Sequence, residues 1–273
     1  MKLLAFDTST EQMSIAVGVS GGVGAAADAA GWQVWRHQGE GGAQASAHLI
    51  DRAMALLAEA GLELAALDAI CFGCGPGSFT GLRTACAVAQ GLAYGVDLPV
   101  LPVDSLLALA EAARMAQCPD ATEVQVLALL DARMDEIYTG RYHYRDSGPV
   151  ASTGPATPAA GHWQVLAPAA LVQPHDVAGL AKAALPDGPL LLAGNAMAVY
   201  AEAMQLDTQL PGVPRQHAVP LAEAMLRLAP DLLAVGAAVA AAQALPVYVR
   251  DKVAQTTAER MALKHVPSPA TGS

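Results

Sequence analysis

The chain is short of charge, of aromatic residues and of cysteine. Of its 273 residues, 15% are Asp, Glu, Lys or Arg and 4% are Phe, Trp or Tyr, against 53% hydrophobic residues. A composition this apolar can bury a sizeable core, in one large domain or two of ordinary size, and it excludes an intrinsically disordered chain. Basic residues are the scarcer charge: 15 Lys and Arg stand against 25 Asp and Glu, a formal net charge of −10. Binding to a phosphodiester backbone depends on Lys and Arg displacing counterions. This chain alone is therefore a poor nucleic-acid binder, and a nucleic acid in its process is expected to be held by a partner. The four cysteines lie at 71, 74, 86 and 118. Cys71 and Cys74 fit C-x-x-C, but no second pair follows at zinc spacing, so ordinary buried thiols in a reduced cytosol are expected. Long hydrophobic runs are missing too. Leu232 to Leu245 covers about 14 residues, short of the roughly 20 that span a bilayer. The opening MKLLAFDTST meets Asp7 before a signal-type apolar region can form. A cytoplasmic location without membrane contact is the expectation. The histidines, at 37, 48, 143, 162, 175, 217 and 265, are never four apart. The helical His pair that presents two ligands to one metal is thus absent, and His48 is expected at a surface or interface.

What is present is an alternation of strand and helix patterns. Lys2 to Phe6, Met13 to Val19 and Trp32 to Gln38 read as strands, with a hairpin turn at Gly21-Gly22. A helix follows from about 45 to 60, ended by Gly61, with Leu49, Ile50, Ala53, Leu56 and Leu57 on one face. Leu67 to Gly73 is the next strand. Val100 to Val103 is a short one, followed by a helix capped by Ser105. In the second half, Val124 to Leu130 and Glu136 to Tyr144 flank a hairpin at 131–135. Leu190 to Ala193 is a strand ending at Gly194-Asn195, before a helix from about Met197. An amphipathic helix covers roughly 220–243. The stretch 147–161 reads as a loop, and the tail from Pro246 as extended. This order predicts an α/β protein with two related halves of the actin-like ATPase (ribonuclease H-like) type. An N-terminal subdomain of residues 1–105, joined by the returning helix 220–243, and a C-terminal subdomain of residues 106–219 are expected, with 246–273 as a tail.

Gly75-Pro76-Gly77-Ser78-Phe79-Thr80-Gly81-Leu82-Arg83 carries the most information. Gly75 and Gly77 supply a turn open to positive φ, Pro76 fixes the backbone between them, and Ser78 stands where a helix N-cap belongs. Such a strand–turn–helix can cradle a phosphate at the helix N-terminus. It can equally launch a flat helix of small residues toward a partner. Asp7, ending the first strand, is the position at which actin-like ATPases handle Mg²⁺–nucleotide, but its turn has no glycine, and self-capping of the Asp7-Thr8 turn is the favoured reading. Asp7, Gly75 and Gly77 are thus candidates for a vestigial nucleotide loop. Gly194-Asn195 fits the adenosine-side turn of such a fold and a plain strand-to-helix turn equally well, and no ligand is assigned to it. Asp131, Arg133 and Glu136 look catalytic by residue type alone, and an ion-pair network that fixes their hairpin is the favoured reading. Ser78 has no histidine near it and is accounted for as a cap. Gly81, Ala85, Ala89 and Gly91, with Val88 and Leu92, are mostly small at near-helical spacing, which allows close helix approach. Both helices of this region are expected at an interface.

LLAFDTST at 3–10, GPGSFTGLRTACAVAQGLAYG at 75–95, LPVDSLLALA at 101–110, DARMDEIY at 131–138 and PVYVRDKVA at 246–254 together resemble the bacterial TsaB (YeaZ-type) family. The matched segments run in family order nearly end to end, with 145–220 loosely matched. The resemblance implies an actin-like paralogue of the catalytic subunit TsaD. It implies a non-catalytic scaffold in making N6-threonylcarbamoyladenosine beside the tRNA anticodon. It further implies pairing with a TsaD-like subunit through the first two helices, a TsaE-like ATPase in the complex, and tRNA contact only indirectly. The interface expected on this basis takes His48, Arg52, Leu56, Thr80, Gly81, Arg83, Thr84, Ala85, Val88 and Ala89, with a homodimer when the partner is absent. No cofactor or metal of its own is expected, with ATP or ADP at the assembled complex. A stand-alone actin-like ATPase or sugar kinase, and an M22-type metallopeptidase, are the alternatives.

Overall fold

A computed structural model of the chain describes residues 1–21, 31–146 and 162–250. The expected loop at 147–161 and most of the tail lie outside the described residues, as does Gly22 of the expected hairpin turn.

Two five-stranded sheets carry the architecture. The first comprises β1 (Lys2–Asp7), β2 (Gln12–Ser20), β3 (Trp32–Glu40), β4 (Ala69–Gly75) and β5 (Val100–Asp104), in the order β3-β2-β1-β4-β5. Its β1, β2 and β3 pair antiparallel, and β4 and β5 add in parallel. The second comprises β6 (Glu123–Asp131), β7 (Ile137–Arg145), β8 (Trp163–Val172), β9 (Leu190–Ala193) and β10 (Arg215–Gln216), in the order β8-β7-β6-β9-β10. Its strands repeat the same antiparallel and parallel pairings. Three antiparallel strands continued by two parallel ones, twice over, is the duplicated actin-like arrangement that the element order predicted. The sequence reason is visible in β1 and β4. Leu3–Phe6 of β1 and the whole of β4 are unbroken apolar or small runs because a central strand is covered on both faces.

Helices α1 (Ala43–Glu59) and α2 (Phe79–Val96) cover one face of the first sheet. Leu49, Ala53, Leu56, Ala85 and Ala89 interlock there with Phe6, Ile15 and Phe72. The second sheet is covered by α4 (Val177–Ala184) and the one-turn helices α5 (Ala196–Val199), α6 (Ala201–Met204) and α7 (Leu206–Gln209). Between the sheets lie α3 (Ser105–Gln117) and α8 (Ala222–Ala234). Their apolar stripes, Leu106, Leu109, Met225 and Leu228 among them, join Leu3 and Ala5 of the first sheet to Val126 and Tyr142 of the second in one core.

Several elements differ from expectation. The predicted helix over 220–243 ends at Ala234, because Gly236 turns left-handed (φ 77°) and Val239 exchanges backbone bonds with Val100 on the edge of β5 (2.8 and 2.9 Å). α3 is capped by Asp104, whose carboxylate accepts from the amides of Leu106 (2.8 Å) and Leu107 (3.4 Å), and not by Ser105. The helix expected from Met197 is instead α5–α7, with Gln205 at φ 47° between the last two. Both β8 and α4 went unassigned in the sequence.

Candidate functional site

The turn after β1, the β4–α2 junction, the β6–β7 hairpin and the end of β9 converge on one cleft of about 520 Å³ between the two sheets. Ser9, Gly77, Arg133, Asn195, His217 and Tyr248 are among its lining residues.

Asp7 does not reach that cleft. It is 1% exposed, and both its oxygens are engaged within the fold. Oδ1 accepts from the Ser9 amide (2.7 Å) and the Ser9 hydroxyl (2.6 Å), and Oδ2 accepts from the Ser105 hydroxyl (2.9 Å). Burial raises its pKa above the usual aspartate value, against the lowering effect of those three bonds. The glycine that admits Asp7 comes from β4: a Cβ on Gly73 would lie 1.8 Å from Asp7 Oδ2. The nucleotide assignment of Asp7 is therefore corrected. It is a structural carboxylate tying β1 to the start of α3; Asp7 caps its own turn as the sequence reading expected, whereas the Thr8 hydroxyl donates to the Gly81 carbonyl of α2 (2.7 Å).

Gly75 and Gly77 make room for the chain itself. At Gly75 (φ 124°) a Cβ would stand 2.4 Å from the carbonyl oxygen of Val247, and at Gly77 it would stand 2.5 Å from the Ser9 Cβ. The Val247 amide bonds the Cys74 carbonyl (2.7 Å). Tyr248 packs on Phe79 with ring centroids 5.0 Å apart, and Arg83 lies 3.8 Å over the Phe79 ring while donating to the Tyr248 hydroxyl (3.2 Å). The mouth of the would-be phosphate cradle is thus lined by the segment 247–248. Gly77 does border the cleft; Gly75 does not. Ser78 is the N-cap of α2, accepting from the Gly81 amide at 3.5 Å.

On the opposite wall, the Asp131 carboxylate accepts from the Arg133 amide and the Tyr200 hydroxyl, both at 2.8 Å, and Asn195 Oδ1 accepts from the Asp131 amide (2.9 Å). Arg133 pairs with Asp131 (3.5 Å) and, across the cleft, with Glu11; Glu136 pairs with Arg250. Of the hairpin network read from the sequence, the Asp131–Arg133 pair is present, whereas the Glu136 carboxylate pairs with Arg250 and Arg133 reaches on to Glu11, both far off in the chain. Gly194 (φ 145°) lies where a Cβ would meet the Leu129 carbonyl oxygen at 1.9 Å, which explains the glycine of that turn without a ligand.

The expected interface set divides by burial. His48, Arg52, Thr80 and Arg83 are exposed, and Thr84 and Val88 half-buried. Leu56, Gly81, Ala85 and Ala89 are buried against their own sheet, and their assignment as contact residues is corrected. A Cβ on Gly81 would meet the Thr8 carbonyl oxygen at 1.8 Å, so this small residue serves the β1 turn. The outward stripe is one helical step around: Ile50 (47% exposed) and Met54 (42%) on α1, and Ala87, Gly91 and Tyr94 (80%) on α2. The spacing 87–91–94, running between the buried 85–89–93, is the signal that could have located it. Cys71, Cys74 and Cys86 are buried free thiols, with Cys71 pushed up to about 12 by desolvation. Among the described residues no cluster of three or more His, Cys, Asp or Glu could hold a metal ion, and no helix is long and apolar enough to cross a membrane.

Duplicated sheets with a cleft between them, and a chain segment packed over the first-half turn that borders it, define a protein of the actin-like class. A family model described as TsaD, tRNA N6-adenosine threonylcarbamoyltransferase, matches residues 42–267. The tRNA threonylcarbamoyladenosine biosynthesis protein TsaB of Escherichia coli is 30% identical over 254 residues, covering 93% of this chain and 96% of that protein. TsaB of Haemophilus influenzae is 50% identical over 84 residues, 30% of this chain and 34% of its own length. The structure of YeaZ from Pseudomonas aeruginosa superposes with a TM-score of 0.68 at 35% identity, covering 90% of this chain and 99% of that one. The chain belongs to the TsaB (YeaZ-type) branch of this family.

Proposed function

We propose that this chain serves tRNA N6-threonylcarbamoyladenosine biosynthesis as a non-catalytic scaffold. It docks a TsaD-like catalytic subunit on the outer face of α1 and α2, or a second copy of itself when that subunit is absent. A TsaE-like ATPase joins the assembly, tRNA is contacted only indirectly, ATP or ADP belongs to the assembled complex, and the work is done in the cytoplasm. The observation that carries the docking surface is the exposed stripe of Ile50, Met54, Ala87, Gly91 and Tyr94. Large apolar side chains beside small ones leave a flat surface on which another helix can approach closely. Full engagement of the Asp7 carboxylate within the fold supports the absence of chemistry at that position.

Reconstitution tests the reading. Modification of tRNA by TsaD and TsaE proteins of the same organism is expected to require this chain. Equal modification without it would remove the scaffold role. Turnover of ATP by the pure chain, lost in Asp7→Asn, would favour a stand-alone ATPase instead.

A further inference from the structure

The segment 244–250 touches both halves of the molecule. On the first half, the Ala244 carbonyl accepts from Gln90 Nε2 (2.9 Å) and the Cys86 thiol (3.3 Å) of α2. The Val247 amide bonds Cys74 at the end of β4, and Tyr248 is held by Phe79 and Arg83 at the first turns of α2. Two residues on, Arg250 belongs to the second half. Its guanidinium pairs with Glu136 and donates to the Arg133 carbonyl (3.3 Å), with its side chain only 15% exposed. Val247, Tyr248, Val249 and Arg250 all border the cleft between those contacts.

The hairpin that Arg250 grips is unusual. Arg133, Met134 and Asp135 are consecutive non-glycine residues at φ 61°, 57° and 57°. A left-handed residue with a Cβ costs about 1–2 kcal/mol, so three in a row persist only where surrounding contacts hold them. Arg250 supplies three such contacts from outside the hairpin: to the Glu136 carboxylate, to the Arg133 carbonyl and to Met134 Sδ (3.5 Å). The Arg133–Glu11 pair also crosses the cleft, but its side chains are 63% and 84% exposed, and a pair so solvated holds little. The shielded Arg250–Glu136 pair is the firmer bond.

We propose that residues 247–250 are a clasp that fastens the β6–β7 hairpin to the β4–α2 junction across the cleft. The two ends of the segment are then coupled. While Arg250 holds the strained hairpin, the short link keeps Val247 and Tyr248 seated over Gly75 and Phe79. Once Arg250 is freed, the ordering cost of the link falls on the first-half contacts and on the partly buried Val249, which packs on the core between the sheets, and the segment opens. Opening of the cleft therefore requires release of this segment.

Hydrogen exchange on the full-length protein tests the coupling. Arg250→Ala removes the contacts to the hairpin and none to the first half, yet the Val247 amide, bonded to Cys74, is expected to exchange at least tenfold faster. The amides of β1 and β4 should keep their protection. An unchanged Val247 amide, with Arg250 gone and the sheets intact, overturns the clasp and leaves two independent contacts. Should Arg250→Ala lose protection throughout the fold, Glu136→Ala removes the carboxylate that Arg250 grips from the other side, and the same two outcomes decide.

Discussion

Ionising Asp7 costs the fold stability. Buried in the first sheet, it has a folded-state pKa above its unfolded value of 3.8, with desolvation the leading cause. The folded state therefore binds the extra proton, and stability falls as pH rises from about 3.8 through the raised value. Across that window the slope from one such group is at most about 1.4 kcal/mol per pH unit. Asn in its place still accepts from Ser9 and can donate to Ser105, without a charge to bury. Urea denaturation of Asp7→Asn is expected to lack this slope, so the variant gains on the wild type between acid and neutral pH. A constant difference between the two across that range would contradict a raised pKa. Gly81 is argued on geometry alone. A Gly→Ala change inside a helix ordinarily stabilises it by about 0.5–1 kcal/mol. Here the added methyl would lie 1.8 Å from the Thr8 carbonyl oxygen, so Gly81→Ala should cost about 2 kcal/mol and lower the thermal midpoint.

At the level of elements, the two sides of α2 predict opposite behaviour. Ala85 and Ala89 are buried in the same core as Phe72 of the sheet, so Ala85→Glu buries a charge without a partner and should cost about 3 kcal/mol or more. Lost pairing in that variant would say nothing about an interface. Met54→Glu and Ala87→Glu sit on the outward stripe and should leave circular dichroism and thermal midpoint nearly unchanged, within about 0.5 kcal/mol. Both are expected to abolish pairing in size-exclusion runs with a TsaD-like partner or with a second copy. Intact pairing in both would place the docking surface elsewhere. The elements themselves were largely legible because periodicity reports local burial. Leu190 to Ala193 was read to the residue, as an apolar run between a turn and a glycine. What periodicity does not report is which of two faces of an alanine-rich helix meets the sheet, since alanine gives little contrast. The sheet-facing alanines of α2 for that reason read as contact residues in the sequence. Strand β8 escaped because its mixed burial, Trp163 buried and its neighbours half-exposed, gives no clean alternation at the edge of a sheet.

On the scale of the whole molecule, the parts of the cleft that sequence could not supply are the long-range ones. Gly73 making space for Asp7, Val247 lying over Gly75, and Arg250 on Glu136 join residues with no local pattern to link them. The same holds where the two sheets meet. The Tyr142 hydroxyl, from β7, donates to Asp104 Oδ2 at the end of β5 over 2.7 Å, inside the core that runs from Leu3 to Met225. A Cβ on Gly140 would lie 2.7 Å from that hydroxyl, so the strand leaves it room. Tyr142→Phe keeps the ring and removes the bond, leaving a carboxylate oxygen of Asp104 without that donor, a loss of about 1–3 kcal/mol. Because one core joins both sheets, the loss should fall on the whole molecule as a single transition. Tryptophan separates the possibilities: Trp32 and Trp35 lie on β3 of the first sheet and Trp163 on β8 of the second. In denaturant, variants retaining only the first pair or only Trp163 should report coincident midpoints, each lowered equally by Tyr142→Phe. Separate midpoints in the Phe variant alone would mean that this hydrogen bond, and not the apolar core around it, makes the two halves unfold together.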